Sequence, residues 1–245
     1  MNSDPVAFFV ERGRWAAAGA PPSPTLPVKR VADFVEQVAM PTGARRVLHL
    51  GCGLGHLSIE LARRGHRPVA VDVSPDLVAE ARAQAMVKGV PVAFLAEELL
   101  ALDFPPYFDL VLAVETELPF YGTATTFDVP LAHVAALLRP GGRLLFGRVG
   151  GPPRLHHRRV YETPAGRAVE TVTFDEPTRT LTRTLRVEAD GRTAHWRTYV
   201  PRPREIEESL AEAGFVVLGK WHQYDPHAVQ VDARQPGLIW LAERI

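Results

Sequence analysis

The chain has 245 residues, with 28 basic against 28 acidic side chains, no formal net charge, 46% hydrophobic and 23% charged residues. That length and balance support a full hydrophobic core, exclude a disordered chain and give no drive toward nucleic-acid phosphates. Cys52 is the one cysteine, so an intrachain disulfide and a cysteine-based zinc cluster are excluded, and no apolar run reaches the ~20 residues of a membrane helix.

In chain order, the N-terminal MNSDPVAFFVERGR carries acid and arginine where a signal peptide is apolar. Residues 1–40 read as a leader or lid: an apolar stretch, the Pro-rich APPSPTLP, then a helical pattern at Val31, Phe34, Val35 and Val38 that stops before Pro41. Residues 41–150 alternate short apolar strands with amphipathic helices, the pattern of a mainly parallel sheet covered on both faces. ARRVLHL is the first strand. A Gly-rich loop and a helix from His56 to Arg64, ended by Gly65, come next. PVAVDV is the second strand, and Ser74 with Pro75 caps a helix that Gly89 closes. VAFLA and FDLVLAV are the third and fourth strands. A helix with Leu131, Val134, Ala135 and Leu138 then leads through an RPGG turn into strand RLLFGRV.

Residues 151–201 change to alternation in TRTLTRTLRVEA and AHWRTYV, with Asp190-Gly191 as a two-residue hairpin signal; they predict an antiparallel insertion. Residues 202–245 return to a helix with Ile206, Leu210 and Ala213, stopped by Gly214, and to strands FVVLGKWHQ and GLIWLAERI. The expected architecture is one α/β domain over 1–245, a Rossmann-like, seven-stranded, mostly parallel sheet with helices on both faces plus the antiparallel β insertion. The expected compartment is the cytoplasm.

Gly51-Cys52-Gly53-Leu54-Gly55 stands directly between the first strand and a helix. Glycines let the turn backbone approach a ligand, and the helix N-terminus offers unpaired N–H groups and partial positive charge to a carboxylate. His56 follows Gly55, so the spacing is GxGxG and a dinucleotide loop loses its third glycine. Asp72 ends the second strand where doubly wound folds place an acid on ribose hydroxyls, and its charge repels a ribose phosphate. An ordinary strand-to-helix turn and a solvated cap are the purely structural alternatives.

The motifs VLHLGCGLGHLSIELARRGH, VAVDVSP, FDLVLAV and LLRPGGRLLF, in order from about Arg45 to Val149, resemble those of class I S-adenosylmethionine-dependent methyltransferases. The closing REIEESLAEAGF, WHQYD and GLIWLAER resemble members acting on small molecules, among them relatives that methylate amino sugars or glycine. The resemblance implies S-adenosyl-L-methionine as cofactor and S-adenosyl-L-homocysteine as product. It places Gly51, Gly53 and Gly55 along the methionine end with Cys52 between them, Asp72 on the ribose and Val73 beside the adenine. It puts Glu98 on the adenine amino group and Leu99 near it as a backbone donor; Val114 and Glu115 complete the expected contacts. One departure is His49, where the family carries Asp or Glu two residues before the first glycine. A neutral imidazole there can accept a hydrogen bond, whereas a protonated one would repel the cationic cofactor in the usual histidine range.

Methyl transfer from a sulfonium is an in-line displacement that needs alignment and exclusion of water more than any universal catalytic group. Acceptor-facing candidates lie past the strand ends: Glu115, Glu117, Phe120 and Tyr121 after the fourth strand, Arg148 after the fifth, and His222 and Tyr224 in the closing segment, with Tyr121 as the catalytic candidate. In the insertion, His156, His157, His195 and Tyr199 are further candidates against an ordinary surface or core role. Between Arg148 and Arg204 twelve arginines face six carboxylates, which fits an anionic small-molecule acceptor or a solvated sheet face. Asp103-Phe104-Pro105-Pro106-Tyr107 only approximates the (D/N)PPY motif of enzymes that methylate exocyclic amines in nucleic acids, and it precedes the fourth strand instead of following it. No nucleic-acid or membrane partner is expected, and exposed insertion strands could pair in a homodimer. The competing readings are a non-catalytic S-adenosylmethionine-binding protein and a nicotinamide-dependent oxidoreductase.

Overall fold

The computed structural model describes residues 5–18, 27–40, 46–114, 128–147, 156–164, 166–227 and 239–245. Strands β1 (Arg46–Leu50), β2 (Arg67–Asp72), β3 (Ala93–Ala96), β4 (Phe108–Val114), β5 (Leu138–Gly147), β10 (Phe215–Trp221) and β11 (Ile239–Arg244) form one sheet in the order β10-β11-β5-β4-β1-β2-β3. The ladders from β5 to β3 are parallel, and β11 runs antiparallel to both β5 and β10. All seven residues of β4 are buried, the signature of a central parallel strand covered on both faces. The expected seven-stranded, mostly parallel sheet therefore forms, and its carboxyl edge is marked by Leu50, Asp72, Val114 and Gly147.

Alternate side chains feed two faces. Leu48, Val111, Leu144 and Trp240 pack under helices α5 (Asp128–Leu137) and α6 (Pro203–Glu212). Val47, Leu110, Leu112 and Leu145 pack under α2 (Val28–Phe34) and α3 (His56–Arg63), and α4 (Pro75–Val87) joins α3 over β2 and β3 through Ala70, Val78, Ala81 and Phe94. The α2 helix continues as a π-helical turn, Val35–Ala39. Between β3 and β4 only a 3₁₀ turn, Leu99–Ala101, covers the sheet.

Two expected turns differ. RPGG lies inside β5: the ladder pairs Phe108 with Leu138, then resumes at Leu110 with Arg143, so Arg139–Gly142 loop out of register. A methyl on Gly142 would press on the Arg139 and Phe108 carbonyls at 2.8 and 3.1 Å, so this bulge demands glycine. Asp190-Gly191 belongs to a four-residue connection, because the Val187 N–H already bonds the Arg192 carbonyl at 2.9 Å. Asp190 Oδ1 accepts from the Arg192 N–H at 3.0 Å, closing an Asx turn in place of a two-residue hairpin.

The insertion is a second sheet, β6 (His156–Thr163), β7 (Gly166–Asp175), β8 (Thr180–Val187) and β9 (Thr193–Tyr199), antiparallel in chain order. Its inner face closes on helix α1 (Pro5–Ala17), an element that chain-order patterning leaves as an apolar stretch: Phe8 and Trp15 are buried with Tyr161, Val172, Leu181, Leu185 and Trp196. Among the described residues no helix is long and apolar enough to cross a membrane.

Candidate functional site

The site is built at the carboxyl edge of β1 and β2. After Leu50 the chain turns through Gly51, Gly53 and Gly55 with φ of 64°, 55° and 73°, a left-handed series that residues with a Cβ adopt only at a cost. The Cys52 N–H bonds the Val71 carbonyl at 3.0 Å, anchoring the turn to β2. The three glycines differ in purpose. A methyl on Gly53 would meet no described residue within 4 Å, whereas one on Gly55 would press on the Phe94 ring at 2.8 Å and on Ala81 at 3.0 Å. Gly53 thus opens on free space, and Gly55 lets α3 start against β3 and α4. Cys52 is buried, and burial pushes its thiol pKa well up, so it stays protonated and packs.

Asp72 joins this turn to the start of α4. Its Oδ2 accepts from the Gly53 N–H at 2.9 Å and its Oδ1 from the Ser74 N–H at 3.0 Å. Each oxygen keeps a lone pair for a further donor. Burial pushes the carboxyl above its ordinary value, against the N–H donors of Ser74 and Gly53 and the charge of Arg12. Ser74 is the N-cap of α4, with Pro75 in its first turn, and half-buried Val73 lies between Asp72 and this cap. The Glu97 N–H bonds the Asp72 carbonyl at 3.1 Å, bringing the end of β3 to the same edge. There Glu98 is exposed at the N-cap position of the 3₁₀ turn without a side-chain capping bond, while the Leu99 side chain is buried below it.

His49 is buried one residue before Leu50, and its Nδ1 is 2.7 Å from Ser58 Oγ on α3. Burial lowers its pKa to about 4. The imidazole is therefore neutral at physiological pH, and the titration expected in the usual histidine range is displaced into acid. Val114, the last residue of β4, is buried at the same edge. Glu115, Glu117, Phe120, Tyr121 and Arg148 lie outside the described residues.

Other sequence candidates separate. His222 follows the last residue of β10 and has a buried Nε2 with no hydrogen-bond partner among the described residues. Tyr224 does not face an open site: it packs edge-on against Phe34 at 5.6 Å in the α2 cluster, and its carbonyl accepts from Arg30 at 3.0 Å. His195 pairs with Thr184 at 3.1 Å, and the Tyr199 hydroxyl pairs with Glu205 at 2.9 Å. His156 and His157 open β6, on the small sheet. Tyr107 lies just before β4, at the opposite edge from Val114, with Arg46 over its ring at 4.8 Å.

The arginines of the insertion are largely engaged locally. Arg167 pairs with Glu188 at 3.5 Å and Arg192 with Asp190 at 2.5 Å. Arg183 does not alternate with Leu181, Leu185 and Val187; it shares their odd-numbered phase and is buried with them. Its partner is Glu170, in phase with Ala168 and Val172 on β7 and only 1% exposed. Glu170 accepts from Arg183 at 2.8 Å, from the Tyr161 hydroxyl at 2.6 Å and from Arg12 of α1 at 3.4 Å. Burial alone would raise its pKa; the charges of Arg12 and Arg183 and the hydrogen bonds overcome this and hold it at about 2. Sequence reasoning passed over this cluster, although a charged residue in phase with buried leucines is a signal for it.

Among the described residues no group of three His, Cys, Asp or Glu side chains is placed to hold a metal ion. A model of the methyltransferase domain matches residues 47–142. The ubiquinone biosynthesis O-methyltransferase of Xanthomonas axonopodis pv. citri (strain 306) is 30% identical over 210 residues, covering 84% of this chain and 77% of the relative. The fold is similar to an S-adenosylmethionine-dependent methyltransferase from Clostridium acetobutylicum ATCC 824, with TM-score 0.71, 17% identity and coverage of 89% and 92%. It is also similar to a sugar N-methyltransferase from Streptoalloteichus sp ATCC 53650, with TM-score 0.60, 18% identity and coverage of 100% and 94%.

Proposed function

The chain belongs to the class I S-adenosylmethionine-dependent methyltransferases, and from that premise we propose that it methylates an oxygen or nitrogen of a small molecule held beyond the carboxyl ends of β4 and β5. The observation that carries the reading is the Asp72 carboxylate, bonded to the Gly53 and Ser74 N–H groups beside a turn of three left-handed glycines. Those residues fit the cofactor. Open space over Gly53 admits the methionine end to the N-terminus of α3, and the remaining lone pairs of Asp72 suit ribose hydroxyls. Val73 is at hand to flank the adenine, with Glu98 for its amino group, the Leu99 N–H as a backbone donor near it, and Cys52 and Val114 completing the wall. Neutral His49 can accept a hydrogen bond from the cofactor's ammonium.

S-adenosyl-L-methionine supplies a methyl group on a positively charged sulfur, and its loss leaves S-adenosyl-L-homocysteine. The chain's own task is to align the acceptor and keep water out. Glu115 and Tyr121, in the segment following β4, are our candidates for contacting the reacting groups, with Tyr121 taking the acceptor's proton where that acceptor is a hydroxyl. The relatives' names, an O-methyltransferase and a sugar N-methyltransferase, support both kinds of nucleophile. An anionic acceptor would engage Arg158 and Arg159 of β6, and a homodimer would use the free edge of the small sheet. A single unpaired cysteine suits the reducing cytoplasm.

Calorimetric titration with S-adenosylmethionine, S-adenosylhomocysteine and NAD tests the reading. Wild type should bind the first two, and Asp72→Ala should weaken both about tenfold or more, as loss of charge-assisted hydrogen bonds implies. Binding of NAD alone, or of none of the three, would overturn it.

A further inference from the structure

Helix α1 packs against the start of α4 on one side and against the small sheet on the other. On one side it presses on the cap of α4: a methyl on Gly13 would overlap Oγ and Cβ of Ser74, the residue whose N–H bonds Asp72. On the other side Phe8 and Trp15 close the inner face of the small sheet, and Phe9 meets Trp196 edge-on at 5.0 Å. The two sheets share no ladder among the described residues, and α1 packs on both Ser74 and the small sheet.

Arg12 adds a charge to that link. Its Nε lies 3.4 Å from Glu170, and in the chain it directly precedes Gly13, the residue packed on Ser74. Neighbouring residues of α1 thus meet the cap residue that bonds Asp72 and an acid buried in the small sheet. Glu170 and Arg183 also pair at 2.8 Å, with side chains 1% and 7% exposed. Buried ions are poor sources of net stability, because desolvation offsets their attraction, but they discriminate strongly between alternative positions of a packed element.

We propose that Arg12 is a positioning residue that couples occupancy of the cofactor site at Asp72 to the order of the small sheet at Glu170. The proposal rests on the reading that the cofactor's ribose docks on Asp72. Hydroxyl donors arriving at Asp72 fix its carboxylate and, through the Ser74 N–H bonded to it, the cap on which Gly13 packs, which holds the adjoining Arg12 in place against Glu170. The contact from α1 to β7 tightens, and the sheet that would border an acceptor is ordered after the cofactor is in place. In linkage terms the cofactor and the acceptor then bind with positive coupling through a residue that touches neither reacting atom.

The test is amide hydrogen exchange on the full chain with and without S-adenosylhomocysteine, with calorimetry on the same samples. In wild type, the ligand should slow exchange several-fold in β7 and β8, far along the chain from the glycine turn. In Arg12→Ala the ligand should still bind, and the slowing in β7 and β8 should disappear; Arg12→Lys, which keeps the charge without the planar fork, should restore part of it. Unchanged β7 and β8 exchange in wild type with ligand bound overturns the coupling alone, as does full slowing in Arg12→Ala. Absence of ligand binding to wild type overturns the cofactor reading and the coupling together.

Discussion

His49 on β1 and Ser58 on α3 meet with Nδ1 2.7 Å from Oγ, both buried, two residues before the first glycine of the turn. Because burial holds the His49 pKa at about 4, cofactor affinity should stay flat from pH 8 to 5.5. Stability behaves otherwise. Between the ordinary histidine value of 6.5 and the folded value of about 4, the unfolded chain binds a proton that the folded chain refuses, so stability falls as pH drops through that window. The full loss amounts to roughly 3 kcal/mol at about 1.4 kcal/mol per unit. Urea midpoints measured from pH 7 to 4 should show this slope in wild type and a shallower one in His49→Asn.

Gly53 and Gly55 should respond differently to alanine. Gly55→Ala places a methyl 2.8 Å from Phe94 at a φ of 73°, so it should cost about 2–3 kcal/mol and lower the melting temperature clearly. Gly53→Ala meets no neighbour at φ 55°, so it should cost only about 1 kcal/mol while weakening S-adenosylmethionine binding several-fold. Paired melting curves and titrations check the contrast; equal effects of the two on stability would contradict it.

Replacing Glu170 with leucine leaves the buried Arg183 without its carboxylate and should cost about 3–5 kcal/mol. The double variant Glu170→Leu/Arg183→Met should recover much of that loss, because both charges leave together. The pH dependence is opposite in origin to that of His49. Glu170, held at about 2 against an ordinary 4.5, contributes stability that is complete above 4.5 and lost as pH falls toward 2. Acid unfolding of wild type and Glu170→Gln measures it.

Asp109 lies at the amino-terminal end of β4, where its Oδ1 accepts from Arg46 at 2.7 Å and from Arg139 at 2.6 Å and its Oδ2 from the Arg46 N–H at 2.9 Å. Asp109→Ala should cost about 2–4 kcal/mol by leaving these donors unmatched. Cofactor affinity should not change, since Val114 and the carboxyl edge lie roughly 16 Å along the strand. Chemical denaturation and calorimetry on one preparation separate the two effects.

Much of the large sheet is legible in the chain, because strands such as FDLVLAV are apolar throughout and can only be covered on both faces. The turn at Gly51 to Gly55 and the acid at Asp72 are legible for the same local reason: their spacing follows from where a strand ends and a helix begins. Other features depend on register. Arg139–Gly142 reads as a free turn and becomes a bulge, because Leu138 already pairs with Phe108. Tyr224 reads as a ligand-facing aromatic and is instead taken up by Phe34, which comes from nearly two hundred residues earlier in the chain.

The sequence by itself determined the alternation of strands and helices, the left-handed glycine turn and the position of Asp72 at a strand end, all set by periodicity and backbone preference among chain neighbours. Only the tertiary structure decided that His49 is neutral, that Arg183 and Glu170 are buried partners, and that α1 lies between Ser74 at the start of α4 and the small sheet. Desolvation and Coulomb energy depend on which groups approach from elsewhere in the fold. Arg12 and Glu170, 158 residues apart, become partners only when α1 and β7 are packed together.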